Sequence, residues 1–301
     1  TVDRAMQVSA GFRRDGVNSA KAYAGSGLVA LWDGLENQGA GEHDDAATDW
    51  VDATGHGYRF EAKAGALSTG AAAPTYNGQY WNFSGSANET LSFMMPDGNV
   101  LLGQNSDMTV EIFAEADLPT ANKYFGFVYG WTATNTCSDA TRTFGVYLNN
   151  NQKFLAHFSG GSFDTGITRY AQEYVDSDRL NASIATLRHD GLQTFRTAPG
   201  GREYYTTRVD ASRALARIDL GYSTYGWFKG NYPMRVYAVR VYNRAITSEE
   251  SALNHALDKM RYMGYAAEDA GLPPNYGVDA GFNVSLRHQV AAGEGGSVSS
   301  A

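Results

Sequence analysis

Three groups of side chains in this sequence have the types and spacing to do chemistry. The stretch from 33 to 52 is the most acidic, with Asp33, Glu36, Glu42, Asp44, Asp45, Asp49 and Asp52 beside Asn37. Calcium takes about six to eight oxygen ligands, and an Asx-rich loop between strands can supply them. The same residues serve equally well in a solvated loop whose Asx side chains cap turns. In 107-DMTVEIFAEAD-117, Glu111, Glu115 and Asp117 share one strand face. Glycoside hydrolysis needs two carboxylates roughly 5 to 10 Å apart, which residues two or four apart on a strand can reach. Solubility of a water-facing strand explains these acids as well. The third group is 222-YSTYGWFKGNY-232, which gathers Tyr222, Tyr225, Trp227, Phe228, Lys229, Asn231 and Tyr232. Sugar rings stack their C–H faces on Trp and Tyr while their hydroxyls need amides and charges nearby. An exposed aromatic lid is the alternative. A second aromatic stripe, Phe125, Phe127, Tyr129 and Trp131, follows one face of a strand, where plain core packing is the competing reading.

Other chemistries find no support. The histidines His43, His56, His157, His189, His255 and His288 show neither H-x-x-x-H nor H-E-x-x-H spacing. His157 sits in an alternating run and reads as a hydrogen-bonded structural histidine. There is no G-x-S-x-G elbow, no EF-hand loop pattern and no glycine-rich loop leading to a P-loop lysine. The single cysteine, Cys137, excludes an internal disulfide framework and reads as a bystander thiol. The sequons at Asn82, Asn88, Asn181 and Asn283 matter only in a eukaryotic secretory pathway. A net charge of -8 with scattered basic residues argues against a nucleic-acid partner. No apolar stretch approaches the roughly 18 residues a membrane helix needs, so direct membrane insertion is not expected.

The elements that must position these groups are strands. From 27 to about 243, apolar runs are divided by turn residues, the pattern of an all-β sandwich or barrel. In 107 to 117 the even positions Met108, Val110, Ile112, Ala114 and Ala116 are apolar, predicting one buried face and one wet face, with Phe113 as the exception. His189-Asp190-Gly191 carries a hairpin signal, and all seven prolines fall between runs or at their ends. One short C-terminal helix is predicted over 247-TSEESALNHALDKMRYMG-264: Thr247 and Glu250 form a capping box, Leu253, Leu257 and Met260 share a face, and Gly264 ends it. Residues 1–26 read as a lead-in, 27–264 as the domain, and 265–301, rich in Ala, Gly, Ser and Pro, as a linker and the start of a following module. Thr1 in place of an initiator Met predicts a chain that is processed or is a segment of a longer polypeptide.

Two stretches carry a resemblance. The opening 27-GLVALWDGLENQGAGEHDDAATDWVDATGHGYRF-60 resembles the first strands of laminin-G-like jelly-roll domains of the concanavalin A-like lectin and glucanase superfamily. The closing 234-MRVYAVRVYNRAITSEE-250 resembles that family's last strand and the approach to its final helix. The resemblance implies a two-sheet antiparallel jelly-roll β-sandwich. It also implies a structural calcium ion near the first Asp-Gly and the D-x-x-G turn, matching Asp33 and Asp52. Many relatives have an acidic residue just before the V-R-V-Y segment, where this chain has Tyr237 and Ala238. Glucanase relatives use a tight E-x-D-x-x-E, which 111-EIFAEAD-117 does not match.

The functional expectation is a non-catalytic carbohydrate-binding or adhesion module of a secreted or cell-surface bacterial protein. Its partner would be a glycan or surface ligand, and Tyr222, Tyr225, Trp227, Asn231 and Tyr232 would bind it. A structural spacer in a multidomain surface protein is the alternative. A glycoside hydrolase would have to rest on Glu111, Glu115 and Asp117.

Overall fold

A computed structural model describes residues 23, 25–62, 73–85, 89–96, 98–104, 106–116, 125–132, 137–138, 141–148, 154–158, 169–170, 181–187, 193–198, 203–206, 213–221 and 233–272. The strands are β1 (Leu28–Asp33), β2 (Asp49–Val51), β3 (Arg59–Glu61), β4 (Thr75–Tyr76), β5 (Trp81–Ser84), β6 (Thr90–Met94), β7 (Met108–Ala116) and β8 (Phe125–Trp131). They continue as β9 (Arg142–Leu148), β10 (Phe154–Phe158), β11 (Arg169–Tyr170), β12 (Asn181–Leu187), β13 (Gln193–Ala198), β14 (Glu203–Thr206), β15 (Arg217–Gly221) and β16 (Pro233–Tyr242). One helix, α1 (Ser248–Met263), follows.

Two antiparallel sheets form. The first runs β14-β13-β12-β7-β16-β5-β4, with β1 also paired to β16; the second runs β11-β10-β9-β8-β15-β6-β3-β2. The long strand β16 organises the first sheet. Its leading half pairs with β5 through Val236↔Trp81, and its trailing half pairs with β1 through Ala238↔Asp33 and Val239↔Trp32. The register against β7 shifts between Val236 and Ala238, so Tyr237 is an extra residue and the strand is bulged there. Core-facing residues are therefore Met234, Val236, Val239 and Val241, and both Tyr237 and Ala238 turn to the opposite face.

Between the sheets lies one apolar core. The first sheet contributes Ala30, Trp32, Trp81, Val110, Ile112 and Ala114, and the second contributes Trp50, Phe60, Leu91, Phe93, Val128, Phe144, Ile218 and Leu220. Trp32 packs on Phe60 with ring centroids 4.4 Å apart and on Phe93 at 5.0 Å, tilted pairs of the kind aromatic quadrupoles favour.

The helix forms where its caps predict. Thr247 accepts from the Glu250 backbone N–H while Glu250 reaches back to the Thr247 N–H, and Gly264 stops the helix in the left-handed region at φ 71°. It covers the outer face of the first sheet, and this corrects the expectation of a wet face on β7. Thr109, Glu111, Phe113 and Glu115 are all buried, Glu111 to 1% exposure. Phe113 is thus no exception: it stacks on Tyr262 and touches His255 of α1. From the lead-in, Tyr23 also reaches this interface and packs with Leu31, Ala53 and Leu257. Because one side-chain oxygen satisfies an otherwise orphaned helix N–H, Thr247→Ala is expected to lower stability by about 1 kcal/mol in urea unfolding followed by circular dichroism.

Candidate functional site

The outer face of the second sheet carries a polar and aromatic cluster built on the two-residue period of its strands. On β15, Ile218 and Leu220 enter the core, so Arg217 and Asp219 must face outward. On β6 the same alternation turns Ser92 outward between Leu91 and Phe93, and Ser92 is registered directly across from Asp219. On β8, Val128 faces the core and Tyr129 and Trp131 face out, with Tyr129 registered against Asp219. Tyr129 and Trp131 of the β8 aromatic stripe are fully buried, as the packing reading expects, on the sheet face opposite Val128. The side chains of Phe125 and Phe127 lie outside the described residues.

Asp219 is the hub of this cluster. Its Oδ1 accepts from Arg217 Nε at 2.7 Å and from the Ser92 hydroxyl at 2.7 Å, and its Oδ2 accepts from the Trp131 indole N–H at 2.8 Å. Cys137 Sγ donates to the same Oδ2 at 3.7 Å. Beside the hub, Gly145 makes room for a ring: a Cβ there would sit 2.9 Å from Tyr129 Cδ1. Arg142 is buried on the same face, its Cδ 3.8 Å from that point. Two guanidinium groups, one carboxylate, one hydroxyl and two large aromatic rings thus share a single sheet face.

The predicted aromatic binding residues Tyr222, Tyr225, Trp227, Asn231 and Tyr232 lie outside the described residues, as do Phe228, Lys229 and Asp117. The described strands nevertheless fix where that segment starts and ends. It leaves the last residue of β15, Gly221, and rejoins the chain at Pro233, the first residue of β16. Asp219 precedes Tyr222 by three residues along the chain.

The predicted metal ligands Asp33 and Asp52 are not arranged around a cation. Asp33 caps the turn after β1, its Oδ1 accepting from the backbone N–H of Leu35 at 2.8 Å and of Glu36 at 3.3 Å. Its Oδ2 accepts from Arg261 Nη1. Asp52 Oδ1 accepts from Leu31 N at 2.9 Å and Thr54 N at 3.0 Å, and Oδ2 accepts from His56 N at 3.1 Å and the Thr54 hydroxyl at 2.8 Å. Every carboxylate oxygen of the pair faces the positive end of an N–H or O–H dipole, so the residues present do not fit calcium. Among the described residues, no three His, Cys, Asp or Glu side chains cluster as metal ligands would. The rest of the acidic loop is self-bonded: Asn37 donates to the Asp44 carbonyl at 2.8 Å and accepts from Asp44 N at 2.8 Å.

Glu111 and Glu115 do not meet as an exposed acid pair. Glu111 Oε2 accepts from Arg240 Nε at 2.9 Å and Asn254 Nδ2 at 2.7 Å beneath α1. Burial raises its pKa, with Arg240 pulling it back down. Glu115 accepts from Arg235 at 3.1 Å and from the Tyr237 hydroxyl at 2.8 Å. Sequence reasoning missed this buried network. Its signal is the stripe Ser251, Asn254, Asp258 and Arg261 at helical spacing, which a surface helix would turn to water.

No family model matches the sequence, and no curated protein matches it. Solved structures superpose on this chain, and a botulinum neurotoxin structure shares its fold. A Trypanosoma rangeli sialidase bound to sialic acid superposes with a TM-score of 0.49 at 13% identity, over 75% of this chain and 32% of that one. A botulinum neurotoxin type C structure, whose cell entry depends on two ganglioside molecules, superposes with a TM-score of 0.55 at 7% identity, over 78% of this chain and 52% of that one. The chain thus spans about a third to a half of the lengths of these proteins. The fold is a two-sheet antiparallel β-sandwich of the jelly-roll kind with one C-terminal helix.

The helix interface yields a pH dependence. Desolvation pushes the His255 pKa down to about 3, helped by Lys259 and Arg240. The native state keeps His255 neutral while the unfolded chain protonates it near pH 6.5, so its contribution is intact above that pH and is lost as pH falls towards 3. Urea unfolding at pH 7.5 and 4.5 should show wild type losing roughly 2 kcal/mol more than His255→Gln over that interval. Equal losses would contradict the assignment.

Proposed function

We propose that this chain is a glycan-binding module of the laminin-G-like kind, carried by a secreted or surface-displayed bacterial protein alongside further domains. The observation that carries this reading is the Asp219 cluster on β15, the strand from which the aromatic segment departs. Arg217, Ser92 and Trp131 converge on one carboxylate in the middle of β15 and hold that strand to β6 and β8. A segment anchored there can present aromatic side chains at low entropic cost, and loops held on a rigid sandwich are where binding residues concentrate. In this reading the sugar ring stacks on Tyr225 and Trp227, with Tyr222 and Tyr232 flanking it. Asn231 bonds its hydroxyls. The toxin with the same fold depends on gangliosides for cell entry, which supports a glycan as the ligand class.

A spacer is the second reading, and one observation favours it: the Asp219 carboxylate is fully committed to partners inside the protein. A glycan array separates the two. Saturable binding by the purified chain, reduced at least tenfold in Trp227→Ala with thermal stability unchanged, is the expected result. An array with no saturable signal from the folded protein would move the assignment to the spacer.

A further inference from the structure

We infer that Arg261 is a built-in cation: its guanidinium neutralises the acidic corner after β1, and the domain therefore holds its fold without divalent metal. The corner is formed by Asp33 and Glu36, both buried. Arg261, in the last turn of α1, places Nη1 on Asp33 Oδ2 and Nη2 3.5 Å from Glu36 Oε1. Nη1 also donates to the Tyr23 hydroxyl at 2.8 Å, which in turn donates to Asp258 at 2.7 Å.

The backbone oxygens around this corner each accept a hydrogen bond from a side chain of the protein itself. The Asp33 carbonyl accepts from the Trp50 indole N–H at 2.9 Å, the Gly34 carbonyl accepts from the Tyr76 hydroxyl, and the Leu35 carbonyl is 3.0 Å from His43 Nδ1. Across the sheet from Asp33 stands Ala238, which offers no side-chain oxygen and packs with Leu35, Phe113 and Tyr262. Three carbonyls and both Asp33 oxygens are thus spent on side chains or turn N–H groups. The guanidinium of Arg261 that meets the corner is covalently part of the helix. A tethered guanidinium cannot dissociate, so the junction between β1 and α1 should not depend on the metal content of the surroundings.

Thermal unfolding of the full chain in 1 mM calcium chloride and in 1 mM EDTA tests the first half. The expected midpoints agree within about 1 °C, whereas a site of roughly 10 µM affinity would separate them by about 5 °C or more. A separation of that size overturns the inference. The second half is tested by a charge cycle in which Asp33→Asn retains the turn-capping oxygen and removes only the charge. Arg261→Met is expected to lower the midpoint by about 10 °C, because it strands buried carboxylates. Adding Asp33→Asn to that variant should recover about half of the loss, although Asp33→Asn alone lowers the wild-type midpoint. A double variant no more stable than Arg261→Met means that Arg261 only fills space, and the inference fails. Should Arg261→Met not fold, a folded double variant is the rescue itself, and if neither folds the calcium comparison on the wild type decides.

Discussion

The placement of charge beneath the helix is the constraint on which the rest of this structure depends. A helix on a sheet normally buries its apolar stripe, but α1 also turns Asn254, Asp258 and Arg261 inward. This is tolerable only because the sheet supplies matching groups. Arg240 of β16 meets Glu111 of the adjacent strand and Asp258 of the helix, and the Tyr23 ring lies 4.3 Å from its guanidinium carbon. Replacing a buried pair with well-packed apolar residues is often neutral, whereas removing one partner costs about 3 to 5 kcal/mol. Such a network therefore adds little net stability but makes misplacement expensive. A helix slipped by one turn would strand Asp258 away from Arg240 and take Asn254 off Glu111 in a dry interface. The ion pairs fix the register of α1, and with it the turn after β1 and the docking of Tyr23.

The sandwich was legible in the sequence because its signals are local. Alternation in β7, prolines at the ends of runs, and the Thr247–Glu250 capping box each concern residues that lie close along the chain, and the strands and helix form where these signals fall. The fate of the polar faces was not legible in the same way. Alternation reports that Val110 and Ile112 belong together, but not whether Glu111 meets water or an arginine more than a hundred residues later. The β16 bulge is a similar case. Reading 234 to 242 as strict alternation would put Ala238 in the core, whereas the extra residue at Tyr237 turns Ala238 outward beside Phe113.

The acidic loop shows what residue type alone leaves open. Asp33 and Asp52 do sit at the ends of strands, as the resemblance implied, and both carboxylates do organise turns. What a sequence cannot display is the partner that arrives from elsewhere in the chain. Arg261 follows Asp33 by 228 residues, and the polar stripe of its helix does not say which distant residue it meets. The Asp219 cluster was hidden for the same reason: Arg217 and Asp219 read as a wet strand face until Ser92 and Trp131 are brought across from two other strands.

The two sheets therefore make unequal use of their outer faces, and this asymmetry bears on function. The first sheet gives its outer face to α1 and spends Glu111, Glu115, Arg235 and Arg240 on ion pairs, which leaves those acids without the water access that acid–base chemistry needs. The outer face of the second sheet bears guanidinium, carboxylate, hydroxyl and indole groups side by side, all of them buried. Polar groups gathered there hold the strand from which the aromatic segment departs.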